Sequence, residues 1–417
     1  MKNHKRKLYV GIDIHSREHK VALVPIALLE CLDAPWRKVK PLNIRNHIAD
    51  FERLDTAIRL HISSIEEVVI AVDHTGGHYS EPIVYFLQAR GYTVYHLETK
   101  AVKAARERFL DQESKSDVID ATSAAYLLYL RDVHGLSFRI SAMTPELGSK
   151  AAALNSLVLQ RWQFNKLVSQ ATNRLHQFLL AVFPEGEAQY FKQLLKVTLW
   201  YPTPKDILAS NGLETIEGLR LKDKENILKL ANDTVGIPNQ IYQWLIRDLS
   251  LQRIESLAKR DALTSIIRKE VTVHPYGDVL LSFPYLGEIA AATIIGIIKD
   301  IERWPDKKKF KKALGVYSSL TQSGGDPGRT RQGREGSKHG RRVLFQVCFG
   351  CIVTKASDND FKDYYHRQVV RGKPRIKALV STMGKLAEII YHCLKVEEPY
   401  QYQGKYKIPK ISGDEKS

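Results

Sequence analysis

The sequence predicts three successive parts. An α/β domain fills residues 1–140, a helical arm fills 141–275, and a mainly α-helical domain fills 276–395, with a polar tail at 396–417. Three observations predict this order. Short apolar runs alternate with helical periods in the first third, the pattern of an α/β domain with a mixed sheet. Apolar residues then recur at helical spacing from Pro145 to Phe183. Apolar helical runs finally bracket a basic stretch from Arg303 to Arg342.

In the first domain, Leu8-Tyr-Val-Gly-Ile-Asp-Ile14 reads as a strand, and Lys20–Val24 reads as its hairpin partner across the polar turn His15–His19. Ile44–Leu60 carries a helical period. Glu67–Asp73 is a second buried strand ending on an acid, and a helix over Glu81–Arg90 follows the turn His74-Thr-Gly-Gly-His78. Gly91–Leu97 is a further strand, and Lys100–Arg108 a basic helix. Lys115-Ser-Asp-Val-Ile-Asp-Ala121 opens an apolar helix running to Leu130.

The period from Pro145 to Phe183 implies one helix of about 35 residues, reaching about 50 Å at roughly 1.5 Å per residue. Such a length suits a coiled-coil arm or a helical hairpin. Pro184 breaks it, and a second helical region spans Leu213–Arg268. In the last domain, a turn at Phe283-Pro-Tyr-Leu-Gly287 joins an apolar helix ending at Ile298, like half of a helix-hairpin-helix with Tyr285 in the place usual for Gly. Arg371-Gly-Lys-Pro-Arg375 feeds a closing amphipathic helix. Cys348 and Cys351 lie in an apolar run with no second pair to complete a zinc site, and read as buried small hydrophobes.

The composition restricts the function. The chain has 417 residues and a net charge of +17, which favours a polyanionic partner, most simply DNA or RNA. Four cysteines make no disulfide framework and fit a reducing cytosol, and no run of about 18 apolar residues spells a membrane span. The stretch Arg303–Arg342 holds twelve Lys or Arg against Asp306, Asp326 and Glu335. Within it Arg329, Arg331, Arg334, Lys338, His339, Arg341 and Arg342 are candidate phosphate contacts, beside glycines that permit close backbone approach. Arg106 and Lys115, near the acids of the first domain, join them.

Four acids carry the candidate chemistry. Asp13 and Asp73 end apolar strands, where α/β folds build their sites. Asp117 and Asp120 stand three apart and share a helix face. Acids brought together in a poorly solvated place need a cation. Mg²⁺, with Mn²⁺ as a substitute, suits a carboxylate set that also takes substrate phosphate. Two such ions could clamp a scissile phosphate.

These motifs resemble a known family. Gly11-Ile-Asp-Ile14, an acid followed by Thr75-Gly-Gly77, and Lys115-Ser-Asp-Val-Ile-Asp-Ala121 resemble the RuvC-like, RNase H-fold domain of the DEDD insertion-sequence transposases, including the Piv/MooV-type DNA invertases. The resemblance implies that Asp13, Asp73, Asp117 and Asp120 hold Mg²⁺, although the family usually has Glu at the position of Asp73. Gln322-Ser-Gly-Gly325, a basic loop and Ser337-Lys-His-Gly-Arg-Arg342 resemble the family's C-terminal transposase domain. There the Ser of the Ser-Gly pair, here Ser323, attacks the DNA phosphate and holds it as phosphoserine. The family further implies an arm that pairs protomers, a homo-oligomer (dimer or tetramer) and a structured guide RNA from the element's flank. A cytosolic, nucleoid-associated enzyme follows. The competing readings are a junction nuclease in which water attacks, and a non-catalytic nucleic-acid-binding relic.

Overall fold

In the computed structural model, the described residues are 8–31, 39–73, 78–97, 99–109, 117–136, 140–142, 145–321, 329–332, 335–354 and 358–405. They form two compact units. One takes in the chain up to Ala153 together with Ser282–Leu286 and the residues from Ile294 onward; the other takes in Leu154–Leu281 and Gly287–Thr293.

The N-terminal part of the first unit is a mixed sheet. Its elements are β1 (Leu8–Asp13), β2 (Glu18–Pro25), α1 (Ile26–Leu29), β3 (Leu42–Arg45), α2 (Ile48–Arg59), β4 (Val68–Asp73), α3 (Glu81–Ala89), β5 (Val94–Leu97), α4 (Thr99–Phe109), α5 (Asp117–His134) and β6 (Ile140–Ala142). The strand order is β3-β2-β1-β4-β5-β6. β1, β4 and β5 are parallel, while β2, β3 and β6 run antiparallel to their neighbours. Every residue of β1 is buried, as expected for a central strand covered on both faces.

Alternation along β1 divides the core in two. Leu8, Val10 and Ile12 pack with Phe51, Leu54 and Ile58 of α2 and Ile83 and Leu87 of α3. Tyr9 packs with Ala121, Ala124, Ala125 and Leu128 of α5 on the opposite face. Those four α5 positions fall at i, i+3, i+4 and i+7, one stripe of a helix. The side facing β1 is small because the two elements nearly touch. A Cβ on Gly11 would lie 1.9 Å from the Ala121 carbonyl oxygen and 2.6 Å from the Ala125 nitrogen.

The sequence reading differs here in more than one place, with α1 and β6 not expected, and most clearly at β3. Ile44 was expected to open a helix, but it is the buried residue of the short strand β3, and α2 begins at Ile48 with His47 capping the Ala49 amide. A four-residue strand with one buried position leaves too short a period-2 signal to stand out beside a longer helical one.

The second unit is helical. Its elements are α6 (Pro145–Val182, from Leu154 on), α7 (Pro184–Val197), α8 (Pro204–Ala209), α9 (Leu221–Asn232), α10 (Gln240–Thr272) and α11 (Gly277–Leu281). α6 and α10 form an antiparallel hairpin. Arg161 Nε donates to Thr264 Oγ1 at 2.7 Å, and Arg253 Nε donates to Thr172 Oγ1 at 3.1 Å. Moving up one helix therefore means moving down the other. α7, α8 and α9 build a small core between the two long helices, with Leu175, Leu194, Leu213, Ile227 and Ile246 inside. The helical region expected over Leu213–Arg268 is two helices, α9 ending at Asn232 and α10 opening at Gln240 after Pro238, where Asn239 caps the Ile241 and Tyr242 amides.

The remaining elements are α12 (Glu288–Ile298, shared by the two units), then α13 (Lys307–Ala313), β7 (Ser318–Thr321), β8 (Arg329–Gln332), α14 (Lys338–Val353), α15 (Asp360–Val370) and α16 (Arg375–Val396) in the first unit. β7 and β8 pair antiparallel. α16 buries Ala378, Thr382, Met383, Leu386, Ala387, Ile390 and Leu394, a helical stripe. The start of the polar tail is docked: Tyr400 stacks on Phe283 and Phe361, and its hydroxyl donates to Asp360 Oδ2 at 2.9 Å. No helix among the described residues is long and apolar enough to cross a membrane.

Candidate active site

The site is built by the end of β1 and the start of α5. Asp13 is the last residue of β1, and is 5% exposed. Asp117 and Asp120 occupy the first turn of α5, where carboxylates are favoured by the helix dipole. Because α5 lies against Gly11, its first turn arrives beside Asp13. Ile12 of β1 pairs with Val72 of β4, so Asp13 and Asp73 end neighbouring parallel strands at the same level.

The closest approach runs through a residue that the sequence reading left in a polar turn. His15 Nε2 is 3.0 Å from Asp13 Oδ2 and 3.4 Å from Asp117 Oδ2. One ligand atom from each of Asp13, His15 and Asp117 can be chosen so that all lie within 4.8 Å of one another. Asp120, one helical turn from Asp117, is buried. Burial pushes the Asp13 carboxyl up to about 6; the His15 charge opposes this, and the Asp120 and Asp117 charges add to it. The donor chemistry of two carboxylates and an imidazole fits a divalent metal. The signal for His15 was its spacing. In extended chain, positions 13 and 15 share a side.

A second layer holds the turn. The His15 amide donates to His19 Nδ1 at 3.3 Å, and His19 Nε2 meets Asn46 Oδ1 at 2.9 Å. His19 is fully buried, and burial holds it below its ordinary pKa, so it is neutral, with Nδ1 as the acceptor.

Two family models match the chain. The IS110-type DEDD transposase model, described as a transposase, matches residues 10–184, and the model of the transposase IS116/IS110/IS902 family matches residues 277–366. Together they take in well over half of the chain, and both describe the same kind of protein. The chain belongs to the IS110 family of transposases. It is also 26% identical, over 305 residues, to the insertion element IS110 uncharacterized 43.6 kDa protein of Streptomyces coelicolor, covering 70% of this chain and 74% of that protein. An IS110-family transposase processes DNA, and the acid cluster of this one is compatible with a divalent metal.

In this transposase the other sequence-derived candidates divide. Ser323, Lys115 and Arg334 lie outside the described residues, as do the side chains of Asp73, Arg106, Arg329 and Arg331, whose backbones belong to β4, α4 and β8. Lys338 and Arg342 are exposed on the first turns of α14, a helix capped by Ser337 Oγ accepting from the Gly340 amide. His339 sits between them, and burial, then Lys338 and Arg342, lower its pKa. Arg341 has a structural engagement, its Nε donating to the Gly315 carbonyl at 2.9 Å.

Two glycines of this segment serve packing inside the protein. A Cβ on Gly336 would meet the Lys312 carbonyl at 2.0 Å, and one on Gly340 the Leu314 carbonyl at 2.9 Å. Tyr285 holds φ +60°, a backbone conformation in which glycine is at ease, and its ring covers Gly350. Cys348 and Cys351 are buried in α14, and burial pushes both thiols up, Cys351 to about 12, so neither is a thiolate at neutral pH.

Proposed function

We propose that this transposase cuts and rejoins DNA at a composite site in which the acids of the first domain hold Mg²⁺ (or Mn²⁺) and Ser323 is the nucleophile. The observation that carries the reading is the convergence of Asp13 from β1 and Asp117 from α5 on one point, with Asp120 on the same helical turn as Asp117. The sheet order, with β2 antiparallel to β1 and the acid at the end of β1, supports an RNase H-like (RuvC-like) domain.

In this reading Asp13, Asp117 and Asp120 would supply oxygen ligands, with Asp73, at the end of β4, as the fourth. A divalent ion held by these carboxylates would supply Lewis-acid polarisation of the scissile phosphate and favour attack by a hydroxyl. The Ser323 Oγ–P bond then replaces the P–O bond to one strand end, which departs as a hydroxyl while the serine proton passes to a base. Attack by the hydroxyl of a new strand end reverses these changes and frees the serine. The phosphodiester count is unchanged, so rejoining needs no outside energy source. Lys338, Arg342 and the basic β7–β8 segment bind phosphate in this reading. The net charge of +17 supports a nucleic-acid partner and is compatible with a structured guide RNA, which the reading adds together with a homo-oligomer.

The test is covalent trapping. Purified protein with its co-purified RNA is mixed with element-junction DNA and Mg²⁺ and run on a denaturing gel. A protein–DNA adduct present in the parent and absent in Ser323→Ala is expected. Cleaved DNA without adduct would replace the serine mechanism by attack of water.

A further inference from the structure

We propose that His15 is a ligand of the cation site and makes it favour Mn²⁺ over Mg²⁺. The proposal rests on the reading that Asp13 and Asp117 hold a cation, and extends it to the metal's identity.

Three observations carry it. The first is distance. An octahedral cation with bonds of about 2.1 Å sets neighbouring ligand atoms about 3 Å apart. His15 Nε2 stands 3.0 Å from the Asp13 oxygen and 3.4 Å from the Asp117 oxygen, close to the spacing of adjacent corners. The second is anchorage. His15 is held by its own backbone, since its amide donates to the buried His19, which is fixed in turn by Asn46 before α2. The imidazole is thus carried by a braced turn between two paired strands, β1 and β2. The third is accessibility. The His15 side chain is 39% exposed and that of Asp117 45%, whereas Asp13 is 6% exposed, so the cluster opens toward solvent on one side. A cation could enter there and keep water or phosphate ligands.

The chemistry of the donor set then decides the metal. Mg²⁺ is a hard ion that prefers oxygen, and an imidazole nitrogen adds little to its binding. Across first-row metals, nitrogen donors raise affinity in the Irving–Williams order, which begins at Mn²⁺. A site of carboxylates alone discriminates weakly between the two ions, and one nitrogen tips it to the transition metal.

The experiment uses the full-length protein with Mn²⁺ alone and reads electron spin echo modulation. The expected result is ¹⁴N coupling to the bound Mn²⁺, which changes to the ¹⁵N pattern when the protein is labelled with ¹⁵N-histidine. In His15→Gln the coupling is lost and Mn²⁺ affinity falls about 10–100-fold, the range seen when even an outer-shell partner is removed. Mg²⁺ affinity, measured by competition, falls by less. Bound Mn²⁺ without nitrogen coupling would overturn the proposal while leaving the acid site standing, as would equal losses for the two ions in His15→Gln. Asp13→Asn separates the underlying reading. Loss of Mn²⁺ binding there supports the acid site, and unchanged Mn²⁺ affinity would remove the acid site and the His15 assignment together. If His15→Gln fails to fold, His15→Ala gives the same readout, since labelling alone does not say which of the fourteen histidines is bound.

Discussion

Gly11 of β1 and Ala121 of α5 are in backbone contact: a single Cβ added to Gly11 would stand 1.9 Å from the Ala121 carbonyl oxygen. The acids depend on this approach, since Asp13 lies two residues beyond Gly11, and Asp117 and Asp120 lie within one turn before Ala121. Gly11→Ala should push α5 off the sheet and separate the carboxylates. Overpacking of a core ordinarily costs about 1–3 kcal/mol, and a clash with backbone that cannot rotate away belongs at the upper end. Denaturant unfolding followed by circular dichroism should show that loss, with weaker Mn²⁺ binding in whatever fraction stays folded. A Gly11→Ala protein as stable as its parent would mean that α5 can shift freely.

Asp55 on α2 predicts an acid sensitivity away from the acid cluster. It is buried, and its carboxylate accepts from Arg59 Nε, from Arg90 at 2.8 Å and from the Tyr92 hydroxyl at 2.5 Å. Burial alone would raise its pKa, but the bonds from Tyr92 and Arg59 with the charges of Arg59 and Arg90 outweigh it and lower the value. A lowered folded pKa means that the stabilisation is complete above the unfolded carboxylate value of about 3.9 and fades as pH falls through the folded one. Asp55→Ala should therefore cost about 1–2 kcal/mol at pH 7, the loss of the Tyr92 bond and of ion pairs whose half-exposed arginines are screened by solvent. The gap from the parent should shrink below about pH 4. A pH-independent gap in urea melts would show that shape, and not charge, holds this corner.

How much of this was legible in the sequence depends on the signal each feature leaves. β1 and β4 announce themselves because central strands are apolar throughout, and Asp117 with Asp120 because three-residue spacing on a helix fixes a shared face. β3 was hidden, since only Ile44 of its four residues is buried, and an edge strand needs little more. The break before α10 was also hidden, because apolar residues stand on both sides of Pro238, with Leu228 and Leu230 before it and Ile241, Trp244 and Leu245 after it. His15 was missed for a different reason. Its neighbours Ser16, Arg17 and Glu18 look like any solvated turn, and its partner Asp117 lies a hundred residues away, so only the folded chain brings the two together.

Lys338 and Arg342 predict a separation of binding from stability. Both are exposed on one side of the first turns of α14. A lysine at a helix N-terminus opposes the dipole, so Lys338→Ala should leave stability unchanged or raise it by up to about 1 kcal/mol. The same change should weaken DNA or RNA binding across sequences and lower the slope of log K against log salt by about one per lost phosphate contact. Arg341→Ala should do the reverse. It loses the bond to the Gly315 carbonyl, so it should loosen the contact of α14 with the end of α13 and destabilise the protein by about 1–2 kcal/mol. Salt-titrated binding isotherms beside thermal melts distinguish the two patterns.

Asp117 offers the sharpest separation of cutting from binding. Its carboxylate is half exposed at the mouth of the cluster and close to His15, and the side chain carries none of the core on which α5 rests. Asp117→Ala should thus fold normally, with a loss in stability below about 1 kcal/mol for removing an acid from the first turn of a helix. DNA affinity should hold or rise, because a negative charge is taken from beside a polyanion. DNA cleavage, if a cation between Asp13 and Asp117 is required for it, should fall by 100-fold or more, on the order of 3 kcal/mol in the barrier, comparable to removing one electrostatic donor from an active site. Mobility-shift and cleavage assays on the same junction DNA measure both quantities. Full cleavage in Asp117→Ala would show that the convergence of these acids is a feature of the fold and not of the reaction.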